Sequence, residues 1–304
     1  MRRSRLSQPL IQRPNRGDKF HAMPASTPTI LATSGGLRRG SRTSFEFAPL
    51  LQHAIELSGV AGRAPRVCHI GTASGDQLWF NALFTEAGLA AGVTVSHLNL
   101  FPMPSAADPA ELLLGQDVVW VGGGSVANLL AVWRLHGLDQ VLREVWQAGV
   151  VLAGVSAGSV CWHVGGTTDS LGPDLRPVTS GLGFVPHSAG VHYDSEPQRR
   201  PLFQKLIGSG VLPAGYATDD GVGIVYHGTE FVEAVTEVRG KGAYRVTRDG
   251  GRREGGRREG GRREGGRWEG GRREGGGGEA EGPGRDGGQA REERIEPRVL
   301  PGAS

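Results

Sequence analysis

The chain has 304 residues, 38% of them hydrophobic, with 51 glycines, two cysteines and a formal net charge of +3. Two cysteines exclude a disulfide scaffold and suit a reduced cytoplasmic setting, and with the arginines gathered at the two ends, charge gives a nucleic-acid role for the core no support. No run is long and apolar enough to span a membrane, and no apolar stretch follows Arg2, Arg3 and Arg5, so no secretory signal is expected.

Residues 1–28 read as a disordered basic extension, with Met23 as an alternative start to Met1. From Thr29, short β-rich runs alternate with longer amphipathic segments. Strands are predicted at 29–32, 67–70, 93–100, 118–121 and 150–153, and helices at 45–57, 78–90, 126–135 and 138–147. Cys68 reads as a small buried strand residue, Cys161 as packing under a helix, and His163 as lying on the helix that follows Ser156. Continuous apolar strands alternating with helices indicate an α/β fold, a mostly parallel sheet sandwiched by helices. The ligand site of such a sheet lies beyond the carboxyl ends of its strands. Two glycine-bearing turns fall there, Gly122-Gly123-Gly124 and Gly154-Val155-Ser156-Ala157-Gly158.

After about residue 180 the runs shorten, at 184–185, 216–217, 222–226, 230–235 and 243–246, which predicts a small antiparallel extension at the C-terminal end. A five-residue Gly-Gly-Arg-Arg-Glu repeat occupies 250–274. Such a segment cannot bury enough surface to repay its ordering entropy. The expected organisation is therefore a domain over 29–248, a disordered insertion over 249–289, the domain's final strand within 290–300 and a tail at 301–304. The tail from 293 to 300 would be the second arm of a hairpin with 243–246, the insertion being its overgrown loop. Arginine–glycine segments bind RNA, so only the repeat offers nucleic acid a foothold, and its interleaved glutamates weaken that reading.

The run Gly154-Val155-Ser156-Ala157-Gly158 fits the nucleophile-elbow pattern, a strand, a sharp turn holding the serine and a helix. Small flanking residues let the backbone turn tightly, and the Ala157 N–H can help hold an oxyanion. A serine needs a base and an orienting carboxylate. Asp169 and His192 follow downstream, with His163, His187 and His227 as rival bases and Asp194, Asp219 and Asp220 as rival acids. No His-Glu-x-x-His, paired cysteines or P-loop is present, and neither metal nor cofactor is expected.

Taken jointly, Val121-Gly122-Gly123-Gly124, Gly154 to Ser159, Thr167-Thr168-Asp169, His192-Tyr193-Asp194-Ser195-Glu196-Pro197, Leu212 to Ala217 and Asp219-Asp220-Gly221 resemble the peptidase E family in content and order. Trp133-Arg134 and His136-Gly137-Leu138-Asp139 bring the chain nearest to the actinobacterial-type branch. The resemblance implies a fold similar to class I glutamine amidotransferases, with serine in place of their cysteine. It implies a serine peptidase acting on short peptides, as a dipeptidase or by release of an N-terminal residue, with aspartate favoured in the best-known members. Carried over by motif, Ser156 is the nucleophile, His192 the base and Asp169 its carboxylate. Asp220 is the alternative acid, and Gly123, Gly124 and Ala157 form the oxyanion hole. Ser125 stands where the family often has asparagine at the substrate end of the site, and Arg199 and Arg200 are candidates to read a substrate carboxylate. A cyanophycinase-like or other serine hydrolase, or a non-catalytic binding protein on the same fold, is the alternative, and the expected assembly is a monomer or homodimer.

Overall fold

The computed structural model describes residues 25, 27–249 and 288–304. The readings of 1–24 and 250–287 as disordered fall outside the described residues. The chain opens with β1 (Thr29–Thr33), β2 (Leu37–Arg39), β3 (Phe45–Phe47), α1 (Pro49–Leu57), β4 (Arg66–Ile70), α2 (Leu78–Ala90) and β5 (Thr94–His97). Then come α3 (Pro109–Leu114), β6 (Val118–Val121), α4 (Val126–Leu135), α5 (Leu138–Gln147), β7 (Val151–Val155) and the single turn α6 (Ala157–Val160). The second half holds β8 (His163–Thr168), β9 (Arg176–Val178), β10 (Val185–Gly190), α7 (Arg199–Gly208), β11 (Gly215–Thr218) and β12 (Val222–His227). It ends with β13 (Glu230–Thr236), β14 (Ala243–Arg248), β15 (Ala290–Ile295) and β16 (Arg298–Val299).

Eight strands form the main sheet in the order β16-β13-β12-β1-β7-β6-β4-β5. The run from β1 to β5 is parallel, and β12 and β13 extend it antiparallel at one edge. Alternate residues of the central strands enter different cores. Ile30, Ala32, Val119 and Val121 pack on one face with Leu129 and Trp133 of α4 and Leu142 of α5. Leu31, Val118 and Trp120 pack on the other with Leu50 of α1 and Phe84 of α2. A period-2 strand that is apolar at every position must be covered on both faces, and the helices supply that cover. Among the described residues no helix is long and apolar enough to cross a membrane.

Three details differ from expectation. The 45–57 segment divides into β3 and α1, because Pro49 fits the first turn of a helix but cannot continue one begun earlier. The segment carrying His163 is β8, not a continuation of α6, since the helix after Ser156 lasts only to Val160. The C-terminal half is also more than a small antiparallel extension. It forms a second, six-stranded mixed sheet, ordered β15-β14-β11-β10-β8-β9. Residues 290–300 supply two strands to two sheets. β15 pairs antiparallel with β14, and β16 pairs parallel with β13.

Candidate active site

Ser156 sits between β7 and α6 with φ 56° and ψ −113°. Only Asp76, Ser156 and His192 combine a side chain with positive φ among the described residues. Such backbone strain costs on the order of 1–3 kcal/mol and persists where surrounding contacts enforce it. Here the enforcement is close packing. A Cβ on Gly154 would lie 2.5 Å from Gly158 O and 2.8 Å from Val121 O, so only glycine lets β6, β7 and α6 meet at this turn.

The end of β1 ties the two strained residues together. The Ser156 N–H donates to Thr33 O at 3.1 Å. The His192 N–H donates to the next side chain along, Ser34 Oγ, at 3.3 Å. Ser34 Oγ also lies 2.7 Å from Thr218 Oγ1, and the Gly221 N–H donates to Ser34 O at 2.9 Å. Thus one dipeptide anchors the serine turn, the histidine turn and the loop that carries Asp220. Nothing in the spacing of Thr33 and Ser34 marks this role, which arises from strand order.

His192 Nδ1 lies 2.6 Å from Asp220 Oδ1. The Asp220 N–H donates to Asp194 Oδ1 at 2.9 Å, and Asp194 pairs in turn with Lys241. Burial pushes the Asp194 carboxyl up, but the Lys241 and Asp220 hydrogen bonds outweigh it and hold it below its ordinary value. Asp194 therefore orients the loop instead of contacting the imidazole. Asp169 is exposed beyond β8, where only its carbonyl is used, by the Gly172 N–H. The neighbouring threonines are structural: Thr167 O accepts from Arg199, and Thr168 Oγ1 lies 2.7 Å from Ser170 Oγ. The histidine's carboxylate partner in the structure is thus Asp220, and Asp169 makes no hydrogen bond with it. His163 is occupied elsewhere, between Ser159 O at 2.9 Å and Tyr226 Oη at 3.2 Å.

The Gly122–Gly124 turn runs beside the serine. A Cβ on Gly123 would stand 3.3 Å from Ser156 Cβ and 3.9 Å from its Oγ. The N–H groups of Gly123, Gly124 and Ala157 donate to no acceptor among the described residues. The three substrate-end candidates are otherwise engaged. Ser125 caps α4, its Oγ accepting from the Asn128 N–H at 3.2 Å. Arg199 is buried and held by Glu196 and by Thr167 O. Arg200 pairs with Glu292 and lies over the rings of Tyr193 and Tyr244.

One lining was not legible beforehand. A cavity of about 220 Å³ opens beside Gly122 and Gly123, bounded by His69 at the end of β4 and by Trp79 and Phe80 at the start of α2. His69 lies in an apolar strand run, where sequence alone gives it no more than a core position.

The sequence model of peptidase family S51 matches residues 30–234. The chain is 43% identical over 182 residues to the uncharacterized peptidase YgaJ of Bacillus subtilis (strain 168), covering 60% of this chain and 78% of that protein. It is 28% identical over 159 residues to peptidase E of Streptomyces coelicolor, covering 48% of this chain and 60% of that one. The crystal structure of a peptidase from an acI-B1 Actinobacterium superposes with a TM-score of 0.54 at 18% identity, over 72% of this chain and 90% of that chain, a likeness of fold.

Proposed function

Because the chain belongs to peptidase family S51 and is a serine-type peptidase acting on peptides, we propose that it releases the N-terminal residue of short peptides through Ser156, His192 and Asp220. His192 takes the proton of the Ser156 hydroxyl as the oxygen attacks the carbonyl of the first residue. Asp220 holds the imidazole through Nδ1 and stabilises the imidazolium that forms. The N–H groups of Gly123 or Gly124 and of Ala157 take the oxyanion. His192 returns its proton to the leaving amine, and water then releases the acyl-enzyme.

The observation that carries this reading is the shared anchorage of the Ser156 and His192 turns on Thr33 and Ser34. It supports a common site for nucleophile and base, although no hydrogen bond joins the Ser156 and His192 side chains in the structure. Such bonds commonly tighten only when substrate binds. A dipeptide panel led by aspartate, glutamate, asparagine and neutral residues tests it. Cleavage should occur with the wild type and vanish in Ser156→Ala; undiminished cleavage by the variant would overturn the assignment.

A further inference from the structure

Resting on that mechanism, we propose that the cavity beside Gly122 and Gly123 receives the side chain of the substrate's first residue, and that His69 selects an uncharged hydrogen-bond donor there. The cavity adjoins the reacting serine through consecutive residues. A Cβ on Gly122 would lie 3.2 Å from His69 Nε2, and one on Gly123 would lie 3.3 Å from Ser156 Cβ. The two glycines thus set the cavity and its His69 next to the turn that holds Ser156.

The state of the imidazole follows from its surroundings. Asn81 gives its amide N–H to Asn99 Oδ1 at 2.9 Å, which leaves Asn81 Oδ1 to face His69 Nδ1 at 3.2 Å. Nδ1 thus carries the proton, and Nε2 presents a lone pair. The ring is 1% exposed and stacks on Phe84 at 4.6 Å. Burial pushes its pKa down to about 3, so it is neutral across the physiological range. Nε2 is buried without a partner among the described residues. An unpaired buried acceptor is costly, and a donor from the ligand would satisfy it.

The rest of the lining sets the charge class. Trp79, 61% exposed, and Phe80 form an aromatic wall, and the other side chains reaching the cavity are the uncharged Ser74 and Gln77. No arginine or lysine among the described residues lines it, and Arg199 and Arg200 are committed to Glu196 and Glu292. An aspartate side chain would meet a lone pair instead of a cation. An amide or hydroxyl side chain, such as that of asparagine, serine or threonine, would meet an acceptor.

Wild type and His69→Phe are compared on Asn-Leu, Ser-Leu, Ala-Leu and Asp-Leu, with labelling of Ser156 by an aryl phosphonate followed in parallel. The wild type is expected to favour Asn-Leu and Ser-Leu over Asp-Leu and Ala-Leu by about tenfold or more in kcat/KM, and His69→Phe to collapse that ratio. A preference for Asp-Leu, or a ratio unchanged in the variant while Ser156 still labels, overturns the assignment of His69. Absence of labelling in the wild type overturns the Ser156 mechanism instead, and the pocket reading with it. If His69→Phe does not fold, full-length Ser156→Ala decides through the ¹⁵N resonance of His69 Nε2. That resonance should move on addition of Asn-Leu and stay in place with Ala-Leu; equal response to both, or none, overturns the proposal.

Discussion

His192 Nδ1 and Asp220 Oδ1 lie 2.6 Å apart, while Asp169 stands exposed at the end of β8. If Asp220 holds the imidazole, Asp220→Asn should lower kcat by about 10⁴-fold, because an amide there stabilises the wrong tautomer and no imidazolium. Asp169→Asn should leave kcat within about threefold, as an exposed carboxylate outside the site. Steady-state kinetics on one cleaved dipeptide distinguishes them, and the reverse ranking would return the role to Asp169.

The serine turn depends on glycine for space as much as for conformation. A Cβ on Gly158 would fall inside the contact distance of Val121 O, on a strand that cannot move without disturbing the sheet. Gly158→Ala should therefore cost about 1–3 kcal/mol and lower Tm. Gly115→Ala, whose Cβ would meet nothing closer than 3.5 Å, serves as the control and should leave Tm unchanged or slightly raised. Equal Tm values for the two variants would show that the turn has room to relax.

Acid should destabilise the fold partly through buried neutral histidines. Burial pushes His163 down to about 4, from an ordinary value of 6.5. The native ring thus stays neutral while the unfolded chain binds a proton below about pH 6.5, so stability falls as pH drops from about 6.5 to about 4. The slope is about 1.4 kcal/mol per pH unit for each such histidine. His69 acts in the same sense down to about pH 3, whereas the buried carboxyls of Asp76 and Glu237, pushed up by desolvation, act in the opposite one. The differential measurement is urea unfolding between pH 6 and pH 4.5, where unfolding of the wild type takes up as much as about one proton at His163 and His163→Gln takes up none there. That variant should show a slope shallower by up to about 1.4 kcal/mol per pH unit, and identical slopes would refute the buried neutral state.

We propose that residues 249–289, 41 in all, are the overgrown loop of the β14–β15 hairpin. The ends of that loop meet, since the Asp249 N–H donates to Gln289 O at 2.7 Å. Replacing residues 250–287 by Asn-Gly should preserve peptidase activity and raise stability by up to about 2 kcal/mol, from the smaller closure entropy of the shorter loop. Loss of activity with the fold retained, judged by circular dichroism, would assign the repeat to the working site.

The amino-acid pattern alone specifies the parallel α/β core, because apolar runs of period 2 and period 3.6 alternate from Thr29 to Val155 and each carries its own local signal. It determined Ser156 as candidate nucleophile for a similar reason: the strand, the small residues and the turn are contiguous. That Asp220 and not Asp169 meets the His192 imidazole is visible only in three dimensions, because it depends on where β11 ends relative to β10, and no spacing encodes that. The engagement of Arg199 by Thr167 O and of Arg200 by Glu292 depended likewise on contacts 32 and 92 residues away along the chain. The second sheet and the His69 pocket belong to the same class. Their short strands and single polar residues carry little local signal, and it is non-local pairing that sets the buried His69 imidazole beside the glycine turn next to Ser156.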